Sequence, residues 1–192
     1  MKKYIPEQPQ PFDPSFPRYC PQRPFPPYRH IPGITPHPFC NPRGHSYGLQ
    51  EANSDTQVVL PEGWRESENY LYGIDLYNFA YWWEAGEAWE GLWKKAEGNC
   101  RIFLQGLIQI SISLLKHHLR KLEGLRHLST TGRNKLRQAA RGVYNPEGIY
   151  MGIRLDEFFA CLDEFFSCFF SHTVTEQTYH QITVKPLIYL HF

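Results

Sequence analysis

Fourteen of the sixteen prolines in this chain fall at or before Pro61, and no other feature restricts its fold as strongly. Each proline fixes its own φ, removes a backbone donor and biases the residue before it towards extended geometry. Residues 1–61 therefore cannot hold a long helix and make poor central strands. Seven rings recur through the same stretch, at Phe12, Phe16, Tyr19, Phe25, Tyr28, Phe39 and Tyr47, whereas disordered segments are usually poor in them. The pattern predicts an extended, polyproline-like arm, residues 1–65, whose rings dock on a body encoded downstream.

That body is helical. From Glu66 onward the apolar residues recur three and four apart, and Leu71, Tyr72, Leu76 and Phe79 predict a first helix over 67–78. A second follows at 81–95, and Gly98-Asn99 make a turn. A third, over 100–122, carries apolar residues on a wide arc, as a central buried helix does. A fourth, basic helix is expected over 131–143, with Arg133, Lys135, Arg137 and Arg141 around Leu136 and Ala140. The fifth is the clearest: Leu155, Phe158, Phe159, Leu162, Phe165, Phe166, Phe169 and Phe170 form one stripe. The short β-prone run 182–190 reads as an extended tail. The expected class is all-α: a five-helix antiparallel array over 66–172, with the proline- and aromatic-rich arm before it and a short extended tail, 173–192, after it.

The bulk numbers exclude several function classes. With 20 Lys+Arg against 19 Asp+Glu the net charge is +1, so no nucleic-acid or anionic-membrane partner is expected. Five cysteines, an odd number with no C-x-x-C pair, read as reduced thiols in a cytoplasmic protein. Lys2 and Lys3 are followed by prolines where a signal peptide needs an apolar run. The greasiest stretch, 102–115, is short for a membrane span and is interrupted by Gln105, Gln109, Ser111 and Ser113. There is no nucleophile elbow, phosphate loop or Gly-rich dinucleotide turn.

Chemistry concentrates in the second helix. Residues 81–93 hold four tryptophans, three glutamates (Glu84, Glu87, Glu90) and two glycines where a helix prefers alanine. Three consecutive blocks, Tyr70-Leu-Tyr-Gly-Ile-Asp-Leu-Tyr-Asn78, Trp83-Glu-Ala-Gly-Glu-Ala-Trp-Glu-Gly-Leu-Trp93 and Phe103-Leu-Gln-Gly-Leu-Ile-Gln109, resemble in order the signatures of domain-of-unknown-function family 309. That family is a small all-helical bacterial and archaeal domain, and the resemblance spans about residues 66–170. It implies the helical array and no activity. The family's second helix reads E-A-H-E-x-x-E, so this chain has Gly86 where the pattern has a histidine. The glutamates matching it remain as Glu84, Glu87 and Glu90.

The leading expectation is a non-enzymatic domain that binds a small polar ligand or a protein partner, without a cofactor, in a pocket between the first three helices. Asp75, Gly86, Glu87, Glu90, Gln105 and Gln109 would line that pocket, and the arm would close it or mediate a homodimer. The glutamine amides are candidate partners for the tryptophan N–H groups. Gly86 marks either a close crossing near Gly106 or the space of a missing side chain. The alternative is a metal-dependent hydrolase, with Glu87 and Glu90 as the candidate residues for a divalent ion and acting as ligand and general base. A structural or oligomerisation module is the third reading. Two further features have chemically competent residues but a plainer expectation. The zinc-competent types His30, His37, Cys40 and His45 are expected as structural histidines of a proline-stiffened loop. Cys100 starts a helix beside Arg101, a place that can lower a thiol pKa, but is expected as a small apolar residue. Asn78 is expected as a cap at the break between two helices.

Overall fold

The structure is a computed structural model that describes residues 7–49, 61–142 and 148–192. Arm residues 1–6 and 50–60, and Val143, expected to end the fourth helix, lie outside the described residues. Helix α1 (Glu68–Asn78) is capped by Ser67, whose hydroxyl accepts the Tyr70 N–H. Every residue from Tyr70 to Asn78 is buried, so α1 is enclosed on all sides. It ends in a Schellman arrangement: the Tyr81 N–H reaches Leu76 O at 2.8 Å and the Ala80 N–H reaches Tyr77 O at 3.2 Å. Ala80 takes the left-handed conformation this requires, with φ +64°.

After that turn, α2 (Trp82–Lys95) runs back alongside α1. At Gly73 the Trp89 indole packs onto the α1 backbone, since a Cβ there would overlap it. The fully buried Trp89 donates its ring N–H to Tyr70 O at 3.3 Å. Helix α3 (Gly98–His118) closes with a second Schellman pair, Lys121 N–H to Lys116 O and Arg120 N–H to His117 O, with Arg120 at φ +56°. The third helix thus stops before Leu122. Helix α4 (Leu122–Arg141) begins there, nine residues earlier than the sequence suggested, and packs along α3.

The close crossing expected beside Gly86 lies elsewhere, between α3 and α4. A Cβ on Gly106 would sit 2.7 Å from Leu136 Cγ, and one on Gly132 would sit 3.0 Å from Ile110 Cδ1. At Gly86 a Cβ would meet Ile112 Cδ1 at 3.5 Å, an ordinary contact. Gly86 is therefore neither a tight crossing nor an open void.

A small hairpin then pairs β1 (Ile149–Tyr150) with β2 (Ile153–Arg154) through Met151 and Gly152, both at positive φ, as a type I′ turn demands. A Cβ on Gly152 would crowd the Trp64 ring at 2.5 Å, so this position needs glycine twice over. Helix α5 (Leu155–Ser167) buries Leu155, Phe158, Leu162, Phe165 and Phe166, and a short 3-10 turn, Cys168–Phe170, extends it. A further short helix, α6 (Glu176–His180), opens the segment expected to be wholly extended. The remainder of the tail docks on α1: Asn78 holds the backbone of Ile188 at both its N–H and C=O, each at 2.9 Å, instead of capping a helix. The chain is thus mostly helical, with one two-stranded sheet among the described residues. None of its helices among those residues is long and apolar enough to cross a membrane.

The arm packs on the same helix through a buried carboxylate. Asp75, 1% exposed, accepts the N–H groups of Tyr19 at 2.7 Å and Cys20 at 2.9 Å, and Nε of Arg18 at 3.1 Å. Phe25 adds its ring by stacking on Tyr81 at 4.9 Å between centroids.

Candidate functional site

Between the arm, α1 and α2 lies a cavity of about 290 Å³. Its α2 wall is one helical stripe, Glu84, Glu87, Ala88, Gly91 and Lys95, at the i, i+3, i+4, i+7 and i+11 spacing that shares a face. Gly91 leaves the middle of this wall open, since a Cβ there would meet nothing within 4 Å. Leu76, Tyr72 and Asn69 of α1 form the second wall, and Arg23, Phe39 and His45 of the arm form the third.

The end of the cavity at the start of α2 is acidic and aromatic. Glu84, in the first turn, sits where the helix dipole favours an anion. It is 6% exposed, accepts the His30 N–H at 2.7 Å and meets His45 Nε2 at 3.3 Å, all on Oε1. Its second oxygen, Oε2, is buried and has no partner among the described residues. Beside it, the Trp83 ring is boxed by His30 at 4.8 Å and His37 at 5.4 Å. Burial pushes the His30 imidazole below its ordinary pKa, against the opposing pull of the Glu84 charge.

The opposite end is cationic. The Arg23 guanidinium lies over the Tyr72 ring at 3.9 Å and donates to Asn69 Oδ1 at 2.7 Å. Among the described residues it pairs with no carboxylate.

Of the six residues singled out in the sequence, only Glu87 lines this cavity. Asp75 holds the arm. Gly86 lies against Ile108 and Ile112 of α3. Glu90 is turned outward and pairs with Lys94 one turn on, at 3.6 Å. Gln109 packs against Gly132 of α4, and Gln105, one turn before it on α3, does not line the cavity. The α2–α3 interface is filled by side chains, with Ser111 donating to Trp82 O at 2.6 Å, and it does not gather these six groups around one space. The expected glutamine–tryptophan pairing is also not made: Gln109 Oε1 and the ring N–H groups of Trp82 and Trp93 are buried without partners among the described residues.

The arm histidines cluster around Trp83 and Glu84, with the His30 and His37 rings 5.2 Å apart. His37 Nδ1 accepts the N–H groups of Phe39 and Cys40 at 3.3 Å, closing a turn, and Cys40 is exposed. Among the described residues no three His, Cys, Asp or Glu groups converge where one ion could sit. Cys100 is buried as a small apolar residue: burial drives its thiol up to about 11, because desolvation outweighs its place at a helix start.

Residues 70–128 match the model of the family described as Domain of unknown function (DUF309). Over these residues the chain is similar to a DUF309 domain. Its matched stretch runs from α1 into α4, shorter than the 66–170 that the sequence blocks suggested. The DUF309 segment supplies the α1 and α2 walls of the cavity, while Arg23, Phe39 and His45 come from outside it. No curated protein and no solved structure matches the chain.

Sequence reasoning passed over Glu84, Trp83, Gly91 and Arg23 as site residues. The stripe from Glu84 to Lys95 was visible in the spacing. Arg23 was not, because its place depends on how a proline-rich segment lies across two helices.

Proposed function

We propose that this protein is a non-enzymatic binding module that takes a small polar molecule into the cavity roofed by the arm. The observation that supports this most directly is a cavity floored by Gly91 whose wall carries Glu84, Glu87, Lys95 and Arg23 among apolar residues. A few polar groups placed on a mostly apolar wall are what fixes the orientation of a small ligand. The volume sits near the lower end of small-molecule sites, which run from ~300 to ~1,000 Å³. A small metabolite suits it better than a nucleotide.

Thermal unfolding of the wild type and of Gly91→Leu across a panel of small polar metabolites tests the reading. Leucine enters open space at Gly91, so the variant folds and its cavity is filled. A ligand at a hundredfold its Kd stabilises the wild type by about 2.7 kcal/mol and leaves Gly91→Leu unmoved. Compounds that stabilise both proteins equally, or none that stabilises the wild type, would refute the proposal.

A further inference from the structure

The arm folds back on itself between His37 and Ser46. The Gly44 N–H donates to Asn41 O at 2.7 Å and the Ser46 N–H to Pro38 O at 3.2 Å. Gly44 permits this path, because a Cβ there would overlap Pro38 O. His45 and Ser46 thereby reach the cavity wall together with Glu84. There the three side chains form one chain of hydrogen bonds: Ser46 Oγ lies 2.8 Å from His45 Nδ1, and His45 Nε2 lies 3.3 Å from Glu84 Oε1. The imidazole is fixed in place. Its side chain is 6% exposed and lies against the Tyr28 ring at 4.7 Å between centroids, and the His45 N–H donates to Tyr28 Oη at 3.2 Å.

The carboxylate decides which ring nitrogen carries the proton. An ionised carboxyl group only accepts, and Glu84 Oε1 already accepts the His30 N–H, so the ring presents Nε2–H to it. Nδ1 keeps its lone pair and accepts the Ser46 hydroxyl. A hydroxyl bonded to a base that a third group orients is the arrangement that activates serine for attack on a carbonyl. From this we infer that Ser46 is an acyl-acceptor site, taking a short acyl group from a thioester or an acyl phosphate. Covalent capture goes beyond the binding proposed above.

The same turn restricts the donors to activated ones. A tetrahedral intermediate is stabilised by N–H groups aimed at its oxyanion, yet the N–H groups of His45, Ser46 and Tyr47 are already bonded to Tyr28 Oη, Pro38 O and Gly44 O. A thioester or acyl phosphate reacts without that help because its leaving group departs readily. The serine ester that forms has a poor leaving group and persists, so the transfer stops at one acyl group per chain. In the step, Ser46 Oγ bonds to the acyl carbon and its proton passes to His45 Nδ1. The C–S or C–O bond to the carrier breaks, and the thiolate or phosphate leaves with the electron pair and takes up the proton. Nothing is oxidised or reduced.

The test is peptide mass spectrometry of the full chain after exposure to S-acetyl-N-acetylcysteamine or to acetyl phosphate. One acetyl ester is expected on Ser46, and the donor that forms it faster identifies the carrier. His45→Ala is expected to slow the labelling by about a hundredfold or more, the usual share of a general base, and added imidazole to restore part of the rate. Glu84 is a positioning residue. Glu84→Gln keeps an acceptor for the His30 N–H but turns an amide N–H towards Nε2, which moves the ring proton to Nδ1 and slows labelling by about tenfold or more. Nitrogen NMR of His45 reads that tautomer directly, with Nε2–H expected in the wild type. Circular dichroism checks that the variants fold; should one unfold, the wild-type tautomer and labelling stoichiometry decide.

No ester on Ser46 from either donor, a rate unchanged in His45→Ala or Glu84→Gln, a wild-type ring protonated on Nδ1, or acetate released beyond one per chain would overturn the assignment. If Ser46 stays unlabelled while a metabolite stabilises the wild type but not Gly91→Leu, the acylation alone is sunk and the cavity reading stands.

Discussion

His117 is expected to make the protein acid-labile, and the size of the effect follows from its surroundings. Its ring sits against Phe165 at 5.3 Å, Phe169 at 5.2 Å and Tyr179 at 5.2 Å, and its Nε2 is buried without a partner among the described residues. Burial, reinforced by the charges of Arg120, His118 and His180, pushes its pKa from 6.5 down to about 3. The unfolded chain therefore takes up the proton first. The folded state keeps its full advantage above about pH 6.5 and loses it progressively as pH falls towards 3. At about pH 5 the loss is about 1.5 pH units at 1.36 kcal/mol each, or about 2 kcal/mol, a large share of a typical 5–15 kcal/mol stability. His30 and His118 shift in the same direction, so the contribution is isolated by difference. His117→Phe keeps an aromatic ring in the same box and cannot titrate. Urea unfolding at about pH 7.5 and about pH 5 is expected to show the wild type losing about 2 kcal/mol more than His117→Phe. Equal losses in both proteins would mean that the ring is hydrated in the folded state and would refute the reasoning.

The glycines of α1 and α2 are expected to respond oppositely to alanine. Gly86→Ala gains about 0.5–1 kcal/mol from helix propensity because its Cβ meets Ile112 at an ordinary 3.5 Å, whereas Gly73→Ala loses stability against the Trp89 indole; paired melting curves check both. Asp75→Ala leaves Arg18 and two arm N–H groups without their acceptor. It should cost about 3–5 kcal/mol and expose the arm, which limited proteolysis would detect as new cleavage within residues 7–49; an arm as resistant as in the wild type would contradict its anchoring by Asp75. Among the thiols, exposed Cys40 should react first with a disulfide reagent, whereas Cys20 and Cys100, buried with raised pKa values, should need unfolding; rapid modification of Cys100 in the native protein counts against its burial.

The all-α class was legible because Phe158, Leu162 and Phe165 keep a strict helical period and the prolines exclude helix before Pro61. The helix boundaries were harder to read. The turns after α1 and α3 place Ala80 and Arg120 in the left-handed conformation that glycine usually marks, so the break before α4 left no local signal. The buried face of α4 also includes Ser129, Gly132 and Ala139, small residues that let α3 approach but carry little apolar signal. Asn78 shows the same limit: its partner, Ile188, lies 110 residues away, and no local rule anticipates it. At the candidate site, the carboxylate stripe on α2 could be read from spacing. Which carboxylate is buried depends on the arm, whose extended path has no periodicity to follow.

The enclosure of α1 sets the order in which the molecule can be assembled. Its carboxylate at Asp75 is answered by backbone about 55 residues earlier, and its amide at Asn78 by backbone 110 residues later. A nascent chain that has released only the DUF309 segment would carry α1 with its Asn78 face bare until Ile188 emerges. Such non-local closure slows folding, because loop entropy is lost before the contacts repay it. The helix buried most completely in the native protein is thus the one left exposed longest at the ribosome, and the segment where a chaperone would find its longest-lived apolar surface.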